Sequence, residues 1–267
     1  MSCRFDDRHW ALILGGSSGF GLATAAKLAR HGMNLAIVHR DRKGAMPEIE
    51  PRFAELRATG ARVLTFNLDA LSTEGRKQTL DVLAAEAGRD GRVRLLLHSI
   101  AYGNLKPLLP ADEAGVVLED EDFARTVYSM GTSLVTWVQD VFGRRLFASD
   151  ARVIGLTSEG NQVAWPGYAA VSAAKCALES VARALAVELG PFGVRCNIVQ
   201  PGVTDTPALR LIPGSERMKA AALAKNPLGR LTTPADVADV ICLLSTDEAR
   251  WVNGALIRVD GGERVAG

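Results

Sequence analysis

Solid apolar runs alternate along this chain with stretches in which apolar residues recur every three or four positions. The runs at residues 10–14, 34–39, 62–66, 93–98, 152–156, 194–199 and 255–259 read as buried strands. The periodic stretches between them, at 22–30, 49–59, 72–87, 122–147, 167–189 and 234–245, read as helices. Parallel strands joined through helices need right-handed crossovers, so the expected architecture is α/β: a doubly wound parallel sheet of about seven strands. No repeat, low-complexity stretch or boundary interrupts the alternation, and one domain over residues 1–267 is expected. Only residues 203–228, rich in Pro, Gly and Ala, lack a clear period. They follow the sixth strand, where ligands of such sheets bind, and are expected to form a substrate-binding lid.

Composition narrows the class of partner. With 31 Lys+Arg against 30 Asp+Glu, neither a nucleic-acid surface nor a polybasic membrane patch is indicated. Cys3, Cys176, Cys196 and Cys242 lie far apart, with no C-x-x-C pair and no histidine at ligand spacing, so no metal site is expected and the thiols are expected to be reduced. The opening residues are too charged for a secretory signal, and no apolar run reaches the ~20 residues that span a bilayer. A cytoplasmic protein is the expectation.

Candidate chemistry begins at Gly15-Gly16-Ser17-Ser18-Gly19-Phe20-Gly21, between the first strand and the first helix. Glycines there allow a tight turn and close approach to a pyrophosphate, and the helix N-terminus favours negative charge. The spacing G-x-x-x-G-x-G resembles the short-chain dehydrogenase/reductase family, a Rossmann-like fold. The likeness extends through a Tyr and a Lys on one helix, Pro201-Gly202 after the sixth strand, and Val259-Asp260-Gly261-Gly262. Leu14 departs from the threonine common there.

The resemblance implies a nicotinamide dinucleotide. At the end of the second strand, His39 stands where an acid would accept from the ribose 2′-hydroxyl, and Arg40 follows it. Arg40 can pair with a phosphate and Ser17 can add a hydroxyl, so NADPH is favoured over NADH. Asn67-Leu68 and Asp69-Ala70 both qualify as the adenine contact. Val203 and Thr206 follow Pro201-Gly202, and the family binds the nicotinamide carboxamide at the position of Thr206.

Tyr168 and Lys175 open the long helix seven residues apart. Seven helical steps come within about 20° of two full turns, which would put both on one face. Most of the family places its tyrosine four residues before the lysine, where this chain has Val171; Ser158 occupies the usual serine position. The wider Tyr–Lys spacing resembles the enoyl-acyl-carrier-protein reductases of bacterial fatty-acid synthesis. So do His98-Ser99-Ile100-Ala101-Tyr102 after the fourth strand, with Ser99, Ile100 and Ala101 as cofactor contacts, and Lys175-Cys-Ala-Leu-Glu179. A phenol moved back three residues shifts about 4.5 Å along the axis, which suits an enolate oxygen remote from the hydride-accepting carbon.

The roles implied are these. Tyr168 stabilises the enolate, Lys175 binds the nicotinamide ribose, and Ser158 either assists Tyr168 or caps the strand end. Ser129 occupies the place of an asparagine used by the wider family, so a ketone-type proton relay looks incomplete. His98 is expected to make a backbone hydrogen bond outside the chemistry. The expected activity is NADPH-dependent reduction of the 2,3 double bond of an enoyl thioester carried on acyl carrier protein or coenzyme A, by a homotetramer. The alternatives are a carbonyl or alcohol oxidoreductase of the same fold, with Ser158 and Tyr168 paired, and a dinucleotide-binding sensor without chemistry.

Overall fold

A computed structural model describes residues 4–110 and 115–266; Cys3 lies outside them. In chain order the elements are β1 His9–Leu14, α1 Gly19–Arg30, β2 Asn34–His39, α2 Met46–Arg57, β3 Val63–Asn67, α3 Thr73–Ala87, β4 Arg92–His98, α4 Asp120–Val127 and α5 Ser133–Gly143. The second half adds β5 Phe147–Leu156, α6 Ala169–Leu189, β6 Arg195–Pro201, α7 Pro207–Arg210, α8 Ser215–Lys225, α9 Pro234–Leu244 and β7 Leu256–Val259. The strands form one parallel sheet in the order β3-β2-β1-β4-β5-β6-β7. Its winding reverses between β1 and β4, and the carboxyl ends of those strands frame a crevice.

The two-residue period of the strands divides the core. On β1, Trp10, Leu12 and Leu14 pack with Leu80, Leu134, Trp137 and Leu178 from α3, α5 and α6. Ala11 and Ile13 point the other way, to Leu28, Phe53 and Ile241 from α1, α2 and α9. No helix among the described residues is long and apolar enough to cross a membrane.

Two expectations are corrected. The helix read at 122–147 is broken by a π-type turn at Tyr128–Thr132 and stops at Gly143, while Phe147 opens β5. Periodicity misleads here because Leu146 and Phe147 continue the apolar spacing past the helix. Arg145, in the left-handed region at φ 57°, reverses the chain so that both enter the core from a turn and a strand. The second correction concerns Tyr168, which caps α6 at φ −108° and ψ 3° instead of lying in it. Regular helical steps therefore do not connect it to Lys175, and neither the shared-face angle nor the 4.5 Å shift applies. Residues 203–228, read as a broken pattern, hold α7 and α8.

The amino-terminal side of the sheet is secured by charge. Arg94 and Arg152 are buried, and their Nε atoms donate to the carbonyls of Ser245 and Leu244 at the end of α9. Asp150 pairs with Arg94 at 3.0 Å, with Arg152 at 2.8 Å, and with Arg195. Burial works to raise the Asp150 carboxyl, but the bond to Arg152 and the three guanidinium charges hold it below its ordinary 3.8. Replacing Asp150 by Ala leaves buried Arg152 without a carboxylate partner, while Arg94 keeps Asp247 at 2.7 Å, and urea unfolding at neutral pH should show a loss of about 3 kcal/mol. The carboxylate's contribution is complete above the ordinary value and is lost as pH falls below it, so wild type and variant should converge in acid.

Candidate active site

Every residue expected to bind or react lies at the carboxyl ends of the strands. The turn after β1 is forced by crowding. Gly15 sits at φ 86°, and a Cβ on it would come within 2.5 Å of the Ser99 carbonyl oxygen; one on Gly21 would strike the Gly15 carbonyl. Ser18 caps α1 in extended conformation without a side-chain bond, and no acidic residue occupies the first turn. The positive end of α1 thus meets neither a capping hydroxyl nor a carboxylate, which suits a pyrophosphate. Ser17 is half-buried in the same turn, Phe20 packs into the core, and Ile100 lies beside Gly15 while Ala101 is exposed.

At the β2 end, buried His39 bonds through Nδ1 to Asp41 Oδ2 at 2.8 Å. Arg40 pairs with Asp69 at 3.2 Å and stacks over the Tyr102 ring at 5.3 Å, reaching across the end of β1. Asn67 exchanges two bonds with the Asp41 backbone, and the Leu68 N–H donates to the His39 carbonyl. Both candidate adenine pairs therefore flank the β2 end. On the far side, Pro201 closes β6, and the Gly202 N–H donates to Val259. Buried Thr206 caps α7, and its methyl lies 3.7 Å from where a Gly19 Cβ would stand. The residues present fit a dinucleotide: Arg40 and the glycine turn at one end, residues 201–206 at the other.

The groups expected to react converge beyond β5. Ser158 Oγ lies 3.2 Å from the Tyr168 hydroxyl, and Ser158 makes no side-chain cap on the turn that follows. The two hydroxyls are thus within hydrogen-bond reach of each other. The tyrosine ring lies against Gly160, where a Cβ would be 2.3 Å from Cε1, and against the small cluster of Met130, Val171 and Ala174. Burial raises the phenol's pKa, the Ser158 bond opposing it, so Tyr168 stays protonated at neutral pH. Lys175 is buried, its Nζ donating to the Leu156 carbonyl at 2.7 Å. Burial lowers it to about 8, Glu179 opposing, so it remains mostly cationic at neutral pH.

His98 bonds through Nε2 to Ser133 Oγ at 2.8 Å, a side-chain partner where a backbone one was expected. Burial and then the Lys175 charge lower it to about 3, so it is neutral and outside the proton chemistry. Ser129 spends its hydroxyl on the carbonyls of Tyr102 and Thr126. Sequence reasoning missed a role for Glu179, four residues beyond Lys175. Its Oε1 accepts from the Thr157 hydroxyl at 2.5 Å and from the Asn161 amide, bracketing Ser158. The i, i+4 spacing from Lys175 was the available signal. It also missed Glu263, which directly follows Asp260-Gly261-Gly262. Trp165 reaches the other way, donating from Nε1 to the Pro213 carbonyl between α7 and α8 at 3.1 Å.

Fold and site together define a short-chain dehydrogenase/reductase, an oxidoreductase class that binds a nicotinamide dinucleotide. The family model described as "Enoyl-(Acyl carrier protein) reductase" matches residues 15–263, and the chain belongs to that family. It is 30% identical over 94% of its length, and 95% of the relative's, to cis-4-hydroxycyclohexanecarboxylate dehydrogenase of Sinomonas cyclohexanicum. Among solved structures it is similar to the enoyl-[acyl-carrier-protein] reductase (NADH) of Aquifex aeolicus VF5, at 25% identity and TM-score 0.82, covering 97% of each chain. It is also similar to the promiscuous reductase LugOII, which catalyses keto-reduction at C1 during lugdunomycin biosynthesis, at 26% identity and TM-score 0.81 over 100% of each chain.

The buried lysine gives a measurable signature. With its pKa lowered from 10.5 to about 8, folded protein binds fewer protons than unfolded protein between those values, so stability rises with pH there. The wild type should gain on Lys175→Met across this interval by at most about 1.4 kcal/mol per pH unit in urea titrations. A constant difference would place Lys175 at its ordinary value.

Proposed function

We propose that the protein interconverts a secondary alcohol and a ketone using a nicotinamide dinucleotide. The observation that carries this reading is the pairing of the Ser158 and Tyr168 hydroxyls. When hydride adds to the carbon that bears the oxygen, the developing alkoxide needs one group to hold it and one to protonate it at the same place. Ser158 supplies the first and Tyr168 the second. The Lys175 cation favours the phenolate that Tyr168 leaves behind, and Glu179 fixes the Ser158 turn through Thr157 and Asn161. The bound dinucleotide supplies the hydride for reduction or accepts it in oxidation.

The substrate class proposed is a largely apolar cyclic alcohol or ketone, in line with the cyclohexane and keto substrates named for the relatives. Exposed Leu211 and the tie from Trp165 to Pro213 support a substrate wall or lid built from residues 203–228. NADPH is the proposed cofactor, because exposed Arg40 follows a strand end that carries His39 in place of an acid. A homotetramer packed through α5 and α6 is proposed on the exposed Phe142 and Phe192, which meet edge to face at 4.8 Å.

A second reading, reduction of an enoyl thioester on acyl carrier protein or coenzyme A, is favoured by the seven-residue step from Tyr168 to Lys175 and by the Aquifex aeolicus likeness. Incubation with NADPH separates the two. A cyclic ketone or acetoacetyl thioester should be consumed and crotonoyl thioester spared; the reverse pattern overturns the first reading for the second. Ser158→Ala should lower ketone turnover roughly a hundredfold, and Tyr168→Phe by at least as much.

A further inference from the structure

Glu263 is buried, and no ion pair among the described residues includes it. Both of its carboxylate oxygens face one backbone donor, the Val203 N–H, at 3.3 and 3.2 Å. The fit is close: a Cβ on Gly202 would stand 2.8 Å from Glu263 Oε2 and 2.5 Å from Thr232 Oγ1. Burial raises the carboxyl's pKa, and the charges of Glu159 and Asp260 add to this; the Val203 bond and Lys225 oppose it. A charge held without a counter-ion is costly, and here it falls on the turn that joins β6 to Thr206. That turn reaches back over the glycine turn after β1, and the family resemblance assigns it the nicotinamide carboxamide. The next residue, Arg264, lies 3.6 Å from Glu159 and 3.5 Å from Gln162, in the segment that follows Ser158. The carboxyl-terminal segment thus touches both walls of the site.

We propose that Glu263 is a positioning residue for the nicotinamide half of the dinucleotide, fixing residues 202–206 through the Val203 N–H. The inference rests on the family's use of a nicotinamide dinucleotide and is independent of which bond is reduced.

Binding of NADPH and NADH, measured by fluorescence titration, tests it against binding of ADP-ribose and its 2′-phosphate, which lack the nicotinamide. Glu263→Leu should weaken binding of the preferred dinucleotide roughly tenfold, the scale of a lost charge-assisted bond, and leave the nicotinamide-free ligand within about twofold. Glu263→Gln keeps an oxygen acceptor for Val203 and should stay within about threefold of wild type. Equal weakening of both ligands would make Glu263 a general structural residue and overturn the proposal, as would unchanged dinucleotide affinity in Glu263→Leu. Should Glu263→Leu fail to fold, Glu263→Gln decides: a loss of tenfold or more overturns the role of the oxygen acceptor. Wild-type protein that binds neither dinucleotide would instead overturn the cofactor assignment itself.

Discussion

The pairing of β1 with β4 is the constraint on which this molecule depends. Once those strands lie side by side, the Ser99 carbonyl occupies the space that any side chain on residue 15 would need. The chain must then turn as glycine, and α1 begins where its amino end faces the crevice. The sheet winds away in both directions from that seam, which gathers the ends of β2, β3, β5 and β6 around one opening. Chemistry collects there because parallel strands deliver all their carboxyl ends to one edge.

Much of this was legible because buried parallel strands announce themselves. The limits read for the second strand, 34–39, are those of β2, and the glycine turn lies between β1 and α1 as expected. Legibility failed where apolar spacing outlasts the element that produced it. Leu146 and Phe147 prolong the period of a helix that has already ended, because core packing does not distinguish a side chain arriving from a turn. The dihedral angle of Arg145 decides the matter, and composition carries no trace of it.

The candidate cluster was half visible. Tyr168 and Lys175 stood out as residue types at a spacing, but the spacing was interpreted through an ideal helix, and Tyr168 stands before the helix begins. What aims its ring is tertiary: Gly160 beneath it and Ser158 at its hydroxyl, ten residues earlier in the chain. Glu179 left only its spacing from Lys175 as a hint, and Glu263 left none, for the same reason. Each acts through a backbone or side chain brought near only by the fold, and an isolated glutamate in a sequence is most often a solvated charge.

The arginine cluster around Asp150 carries an implication of its own. It ties β4 and β5 to the tail of α9 and, through Asp150, joins the start of β6, at the pole of the sheet opposite Ser158 and Tyr168. Rigidity and reactivity are thereby allotted to separate ends of the same strands. Loops at the reactive rim can be lengthened, shortened or re-lettered while the foundation stays untouched, so a lineage built on this plan can change what it consumes without learning to fold again.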